Sequence, residues 1–483
     1  MKAIIGIEIH VQLQTASKMF CGCDAAYFAA EPNTHVCPVC LGLPGALPRA
    51  NKKAMELAAK AGIALHCTVN TFSRFDRKNY MYPDLFKGYQ ITQYTQPICE
   101  NGFLDVTRKD GSVFKVGIIR AHQEEDTAKS IHEKKWTLVD GNKAGIPLLE
   151  IVSAPDMYSI EDAMAFAQSL QTILAFIGVS GCDMEKGQMR FDVNVNLEIE
   201  PKVATPIAEI KNLNSFRSMG LALQYEIERQ EVEFKETGIQ FGKGNKTTRG
   251  WSDDRGETYL LRSKEEAEDY RYFPDPDLPP VVFTTEEIAG FASEVGMLPY
   301  DIYETYTTDL HMSAEIARVF SSDKALYEYF ETCRKDYTDS VKLANWIKGE
   351  LLSYINANSI GIKTNDDMIK LLKPANLIEL LLLMDKNVLS GSAGKQVCKE
   401  MLVSGKRAEV IMKEMNLVQV NDTDVIEEAV NKVLVANMDA VAKYKAGKDG
   451  ALMFLVGQVM RDTKGKGNPG MIKAMLEKKL SEK

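Results

Sequence analysis

The sequence predicts an α+β chain of two to three domains, with strands and turns in its N-terminal part and helices in the remainder. Three observations carry this reading. At 483 residues the chain is too long for one core. Of its 17 prolines, only Pro374 and Pro469 follow Pro299. The hydrophobic pattern also changes, from alternation to helical spacing. These shifts divide the chain into residues 1–292, 293–405 and 406–483.

The first segment, Gly6 to Leu13, alternates strictly: Ile7, Ile9, Val11 and Leu13 point one way, Glu8, His10 and Gln12 the other. The segment 21–40 follows, with Cys21-Gly22-Cys23 and Cys37-Pro38-Val39-Cys40. Two close cysteine pairs on turns suit tetrahedral zinc, and four thiolates leave no coordination position open, so the metal is expected to be structural. Cys67, Cys99, Cys182, Cys333 and Cys398 are scattered and read as small apolar groups.

Ile118 to Asp126 ends in His122-Gln123-Glu124-Glu125-Asp126, and Ile146 to Val152 carries Glu150 inside an apolar run. An unpaired carboxylate buried there would cost several kcal/mol, so Glu150 needs a cation. In Gly187 to Asn196, Arg190, Asp192, Asn194 and Asn196 share a face. Polar faces of this kind are either solvated sheet surface or a site; carboxylates with one imidazole suit magnesium or manganese, and magnesium points to phosphate chemistry. Two polar, aromatic blocks, Phe75 to Asp84 (continuing to Ile91) and Glu209 to Arg217, read as turns or as loops aimed at an anionic ligand.

Beyond the boundary, Val341 to Asn356 spaces Leu343, Ile347, Leu351 and Ile355 as one helical face. The Val403-Ser404-Gly405-Lys406 break precedes shorter helices, and Asn468-Pro469 starts the last one. From Lys443 to Lys483 ten basic residues face four acids, a local charge of +6 on a chain of net −9. That tail is either a phosphate-binding surface or a solvated helical face.

Several classes are excluded. The longest apolar runs fall far short of a bilayer span, and Glu8 interrupts any signal-peptide core, so a cytoplasmic protein is expected. No GxxxxGK[ST] loop, GxSxG elbow or Ser-rich amidase signature occurs. The GxGxxG run at Gly465 to Gly470 follows a helix and contains Pro469, which removes an amide a phosphate cradle would need.

Taken together, the blocks Gly6 to His10, Arg77 to Tyr80, His122 to Lys129, Gly145 to Ser153, Glu209 to Arg217, Thr248 to Trp251, Asp269 to Asp277 and Phe454 to Met460 resemble the B-subunit family of tRNA-dependent amidotransferases along essentially the whole chain. The resemblance implies a cradle-like catalytic domain related to glutamine synthetase and guanido kinases, then a helical domain and a small helical tail domain that touches tRNA. It implies ATP-dependent phosphorylation of the side-chain carboxylate of Glu-tRNA(Gln) or Asp-tRNA(Asn), then amidation with ammonia from a glutaminase A subunit, in a heterotrimer with a small C subunit. Magnesium ligands carried over from the family are His10, Glu125 and Glu150, with Glu8, Glu124 and Asp192 as further ligands or supports. Lys78, Lys211 and Arg271 are expected to contact nucleotide or substrate, and Cys21, Cys23, Cys37 and Cys40 match the zinc-bearing members. Ala121 and Gln123 depart from the larger apolar residues expected beside those acids. Two alternatives are an archaeal E-type subunit, which carries a large insertion absent between Asp309 and Gly405, and a non-catalytic tRNA-binding scaffold, which would not need the acids.

Overall fold

Ten strands form the central sheet: β1 (Lys2–Gln12), β2 (Thr68–Val69), β3 (Cys99–Thr107), β4 (Val113–Glu125), β5 (Pro147–Ser153), β6 (Met189–Glu200), β7 (Val203–Ala204), β8 (Ala208–Leu213), β9 (Thr247–Ser252) and β10 (Glu257–Ser263). Their order is β10-β9-β8-β6-β1-β5-β4-β3-β2, with β7 paired to β6. Neighbours are antiparallel except β8 and β9. This is a computed structural model, and it describes residues 1–263, 270–417, 423–445, 448, 450–463 and 467–481.

The alternation read in β1 sets its place in the middle of the sheet. Ile5, Ile7, Ile9 and Val11 are buried, as are Leu149 and Ile151 of β5 and Phe191, Val193 and Val195 of β6. Each such side chain contributes about 1.5–3 kcal/mol by leaving water. Helices α1 (Lys52–Ala64), α2 (Ile160–Phe176) and α3 (Phe216–Thr237) contact the strands, and their buried Leu57, Phe166, Leu170, Met219 and Leu223 extend this apolar layer. Asn51, Ser159 and Ser215 start these helices by accepting backbone N–H bonds from the first turn. The polar residues of the same strands are left on the other face.

Smaller sheets accompany the central one, and one of them brings Lys78 and Thr92 to that polar face. Asp76–Asn79 pairs with Tyr89–Thr92 and with Phe273–Pro274, and Phe72–Ser73 pairs with Val281–Val282. All these elements belong to a compact unit, Met1–Pro299.

The second unit, Tyr300–Lys483, is helical. The segment expected as one helix runs as Ser340–Trp346, a π-helical turn Ile347–Leu352 and Ser353–Ala357; the wider turn keeps Leu343, Ile347, Leu351 and Ile355 buried together. Gly405, at φ +71°, ends Gly391–Ser404 in the left-handed conformation that glycine takes without strain. Helices Thr423–Ala436, Met438–Lys445, Gly450–Asp462 and Pro469–Ser481 share a core of Ile426, Val430, Leu455, Val459, Ile472 and Leu476. Asn468 Oδ1 accepts the N–H groups of Gly470 and Met471 at 3.0 and 3.2 Å, with Pro469 at the first helical position. Of the basic tail, Lys443, Lys445, Lys448, Arg461, Lys473 and Lys478 are exposed, whereas Lys479 pairs with Glu427. Asp449, Lys464, Gly465, Lys466, Glu482 and Lys483, like Asp269, lie outside the described residues. Among the described residues no helix is long and apolar enough to cross a membrane.

Candidate active site

A cavity of about 570 Å³ lies over the polar face of the sheet. Strand register builds its floor. His10, Glu150 and His122 stand side by side across β1, β5 and β4, with Arg190 of β6 next in register beside His10 but outside the lining, its guanidinium on Asp126. In the next row, two residues along each strand, come Asp192, Glu8, Val152 and Arg120. Glu209 and Lys211 of β8 and Lys246 and Thr248 at β9 close one side. Lys78, Tyr80 and Tyr82 come from the small sheet and its turn, and Tyr270 and Tyr272 from the segment leading to Phe273–Pro274. The Lys78 ammonium sits 4.9 Å from the Tyr270 ring centre, and Tyr272 stacks on Tyr94 at 4.1 Å.

Two groups of donors face this space. His10, Glu124 and Glu150 bring ligand atoms within 4.8 Å of one another, and so do Glu8, Asp192 and Glu209. His10 Nε2 is 3.5 Å from Glu150 Oε2, and His122 Nε2 bridges Glu124 at 3.5 Å and Glu150 at 3.6 Å. Gln90 and Thr92 orient Glu124 by donating to its two oxygens at 3.0 and 2.8 Å. One imidazole and two carboxylates fit a hard divalent cation. In the second group an ammonium already stands among the acids: Lys211 Nζ lies 2.6 Å from both Asp192 and Glu209.

The charges follow from this arrangement. Burial opposes ionisation of Glu150, but His122 and His10 overcome it and hold the carboxyl well below its ordinary range. Glu124 is also lowered, because His122 and Lys78 outweigh burial and the repulsion of Glu150. Burial and Arg190 act to lower the His10 imidazole, yet its hydrogen bond to Glu150 leaves it raised. Burial would discharge Lys78; Glu124, with Tyr272 and Glu150, keeps it charged and above its usual value. Glu209, buried but flanked by Lys211 and Lys246, falls to about 2. Glu8 is raised, first by burial and then by Glu150, Glu209 and Asp192. The cavity therefore offers fixed anions for a metal, cations for phosphate oxygens and one carboxyl of weakened acidity.

The four clustered cysteines converge as their spacing predicts. The thiols of Cys21, Cys23, Cys37 and Cys40 lie within 4.8 Å of one another. The Cys37 backbone N–H donates to Cys40 Sγ at 3.2 Å. A hydrogen bond from Cys21 pulls the Cys40 thiol down to about 4, against the effect of burial. Such a set of donors can hold a metal ion.

Comparison with known proteins now decides the family. Residues 3–289 match the GatB/GatE catalytic domain and residues 328–480 the GatB domain. The chain belongs to the GatB/GatE family. It is 44% identical over 485 residues to the B subunit of the aspartyl/glutamyl-tRNA(Asn/Gln) amidotransferase of Thermoanaerobacter sp. (strain X514), covering 100% of this chain and 99% of that protein. The protein of the same name from Carboxydothermus hydrogenoformans is 43% identical over 489 residues, covering 100% and 99%. That of Myxococcus xanthus (strain DK1622) is 44% identical over 484 residues, covering 99% and 98%.

Of the residues expected from sequence, the fold of this GatB/GatE chain brings Glu8, His10, Glu124, Glu150, Asp192, Lys78 and Lys211 to one cavity. Two differ. Glu125 does not join His10 and Glu150: it follows Glu124 in an extended strand and so points to the opposite face, where it pairs with Lys87 and accepts the Ile91 N–H at 3.0 Å. Glu124 takes its place. Arg271 adopts φ +48° and its side chain is exposed outside the cavity lining; its carbonyl accepts from Asn79 at 2.9 Å. Ala121 and Gln123, on the same side of β4 as Glu125, are both fully buried, so the smaller residues leave no exposed gap there.

Sequence reasoning missed His122, Arg120, Tyr94, Lys246 and the two tyrosines flanking Arg271. His122 had a signal, because it has the same strand parity as Glu124. Arg120 follows from the same parity, and its Nε is buried without a hydrogen-bond partner among the described residues.

Proposed function

We propose that this chain is the carboxylate-activating subunit of a tRNA-dependent amidotransferase. Using ATP, it phosphorylates the side-chain carboxylate of Glu-tRNA(Gln), Asp-tRNA(Asn) or both, and ammonia then converts the acyl phosphate to an amide. The supporting observation is the pairing, in one cavity, of a His10/Glu124/Glu150 donor set with Lys78 and Arg120. The names of the end-to-end relatives agree with it.

The chemistry accounts for the residues. Oxide cannot leave a carboxylate, so the carboxylate oxygen first attacks the γ-phosphorus and ADP departs. Ammonia next forms the new C–N bond, the C–O bond to phosphate breaks, and a proton leaves nitrogen. Magnesium held by His10, Glu124 and Glu150 would offset the charge gathered between the γ-phosphate and the attacking carboxylate. Lys78 and Arg120 take phosphate oxygens, the tyrosines around Lys78 exclude water, and Glu8 accepts the proton. Lys211 holds Asp192 and Glu209 in position.

The rest of the reading is consistent with this role. The polar-faced sheet is the cradle related to glutamine synthetase and guanido kinases, in the first of three domains, 1–292, followed by helical domains 293–405 and 406–483. Zinc on Cys21, Cys23, Cys37 and Cys40 is structural, because four thiolates close its coordination. A glutaminase A subunit and a C subunit complete a cytoplasmic heterotrimer, and exposed lysines of the tail, such as Lys443 and Lys473, grip the tRNA. The test is Glu150→Ala in the reconstituted complex. ATP- and tRNA-dependent phosphate release should fall by roughly a thousandfold or more, while glutaminase activity of the partner persists. Unchanged phosphate release would refute the assignment.

A further inference from the structure

Lys18 is an anomaly outside the active cavity. It is among the largest fully buried side chains of the protein, at 0% exposure. Its ammonium donates to Gly141 O at 3.1 Å and to Cys40 Sγ at 3.7 Å, and among the described residues it forms no ion pair with a carboxylate. A buried lysine is retained as a cation only where an anion compensates it. Among the described residues, the sole candidate in its contacts is the sulfur of Cys40. A divalent metal bound by four thiolates carries a net charge of −2, which one adjacent ammonium halves.

We propose that Lys18 is the counter-cation of the four-cysteine metal centre and ties that centre to the turn entering β5. The inference rests on the zinc reading above. The tie is explicit in the contacts. Lys18 and the Ala144 N–H, the latter at 3.1 Å, share Gly141 O as acceptor. The lysine stem runs beside Gly145, whose φ is +81°, and Met19 N–H donates to Gly145 O at 2.7 Å. Gly141 N–H in turn donates to Asn33 Oδ1 at 2.7 Å, within the cysteine-bearing segment. Two residues past Gly145, β5 begins, and it carries Glu150. Lys18 is thus a positioning residue, acting through the metal centre and not on substrate.

The experiment begins with the zinc content of the full-length chain; less than one ion per chain would overturn the zinc reading itself and this inference with it. Zinc affinity is then measured by chelator competition for the parent, Lys18→Met and Lys18→Arg, with cobalt absorption spectra reporting whether four thiolates still form a tetrahedral centre. Groups that support metal ligands typically contribute about 10- to 100-fold in affinity. Lys18→Met should lose that much while keeping the cobalt thiolate bands, and Lys18→Arg should recover most of it. An Lys18→Met affinity within about threefold of the parent, with intact bands, overturns the proposal. A second measurement needs no variant: chelating zinc from the parent chain should lower amide-exchange protection at Ala144 and Gly145 but not at Ile7 and Ile9 of β1. Unchanged protection at Ala144 and Gly145 overturns the proposed tie.

Discussion

Replacing Glu124 by glutamine and, separately, Glu125 by glutamine exchanges the same atoms at adjacent positions, yet the two changes should have opposite consequences. Glu124 lies within 4.8 Å of Glu150 and His10. Two carboxylates at that distance repel by about 3 kcal/mol at an effective dielectric of about 20. Neutralising Glu124 relieves this, but weakens charge-assisted bonds from Gln90, Thr92 and His122 that are worth about 1.5–3 kcal/mol each. Partial retention of those bonds by the amide brings the net stability change to about 1 kcal/mol or less. Activity should suffer heavily if, as proposed, His10, Glu124 and Glu150 hold magnesium: phosphate release should fall roughly 100- to 1,000-fold. Glu125→Gln leaves the cavity untouched but strands the largely buried Lys87 charge, with 15% of its side chain exposed. Breaking such a pair costs about 3 kcal/mol, or about 6 °C of melting temperature in a unit of this size. Single-turnover phosphate release on charged tRNA and thermal melting together read both effects. If Glu125→Gln abolished phosphate release without lowering the melting temperature, the proposed role of Glu124 in holding magnesium would be refuted.

Two further outcomes are expected. Glu209, lowered from its ordinary 4.5 to about 2 by Lys211 and Lys246 despite burial, contributes stability that is present above about pH 4.5 and lost as pH falls towards 2. In urea melts across that window, Glu209→Gln should therefore show a shallower acid limb than the parent; parallel limbs would argue against the depressed carboxyl. Lys211→Met leaves Asp192 and Glu209 without their shared ammonium. It should destabilise by about 2–4 kcal/mol, and millimolar magnesium or calcium should raise its melting temperature more than the parent's. An equal response of both proteins would show that the acids do not gather around a cation.

Much of this was legible because a two-residue period is unforgiving. The isoleucines of β1 fix which side of the strand is buried, and Glu8 and His10 are thereby sent to the cavity without any knowledge of tertiary contacts. Glu150 declared itself as a lone acid in an apolar run. The choice between Glu124 and Glu125 was not legible, because it depends on which side of β4 faces Gln90 and Thr92, contacts about thirty residues distant in sequence. The outward placement of Arg271 was hidden for a related reason. A left-handed residue between Tyr270 and Tyr272 turns its side chain outward, and the tyrosine-rich sequence there has no period from which to read direction. The π-helical turn at Ile347–Leu352 likewise leaves the spacing of apolar residues helical, so periodicity alone conceals it.

The floor of the cavity comes from central strands and not from the loops that connect them. Asp192, Glu8, Val152 and Arg120 span four hydrogen-bonded neighbours, each with an apolar reverse side in the core. Local fraying releases termini and loops long before it reaches strands of this kind. The donor set should consequently persist through every partial opening of the unit and disappear only in the cooperative transition that dissolves the sheet. Magnesium binding at the proposed donor set and protection of the β1 amides are then two readings of one equilibrium. A denaturant titration followed by either signal should give a single midpoint.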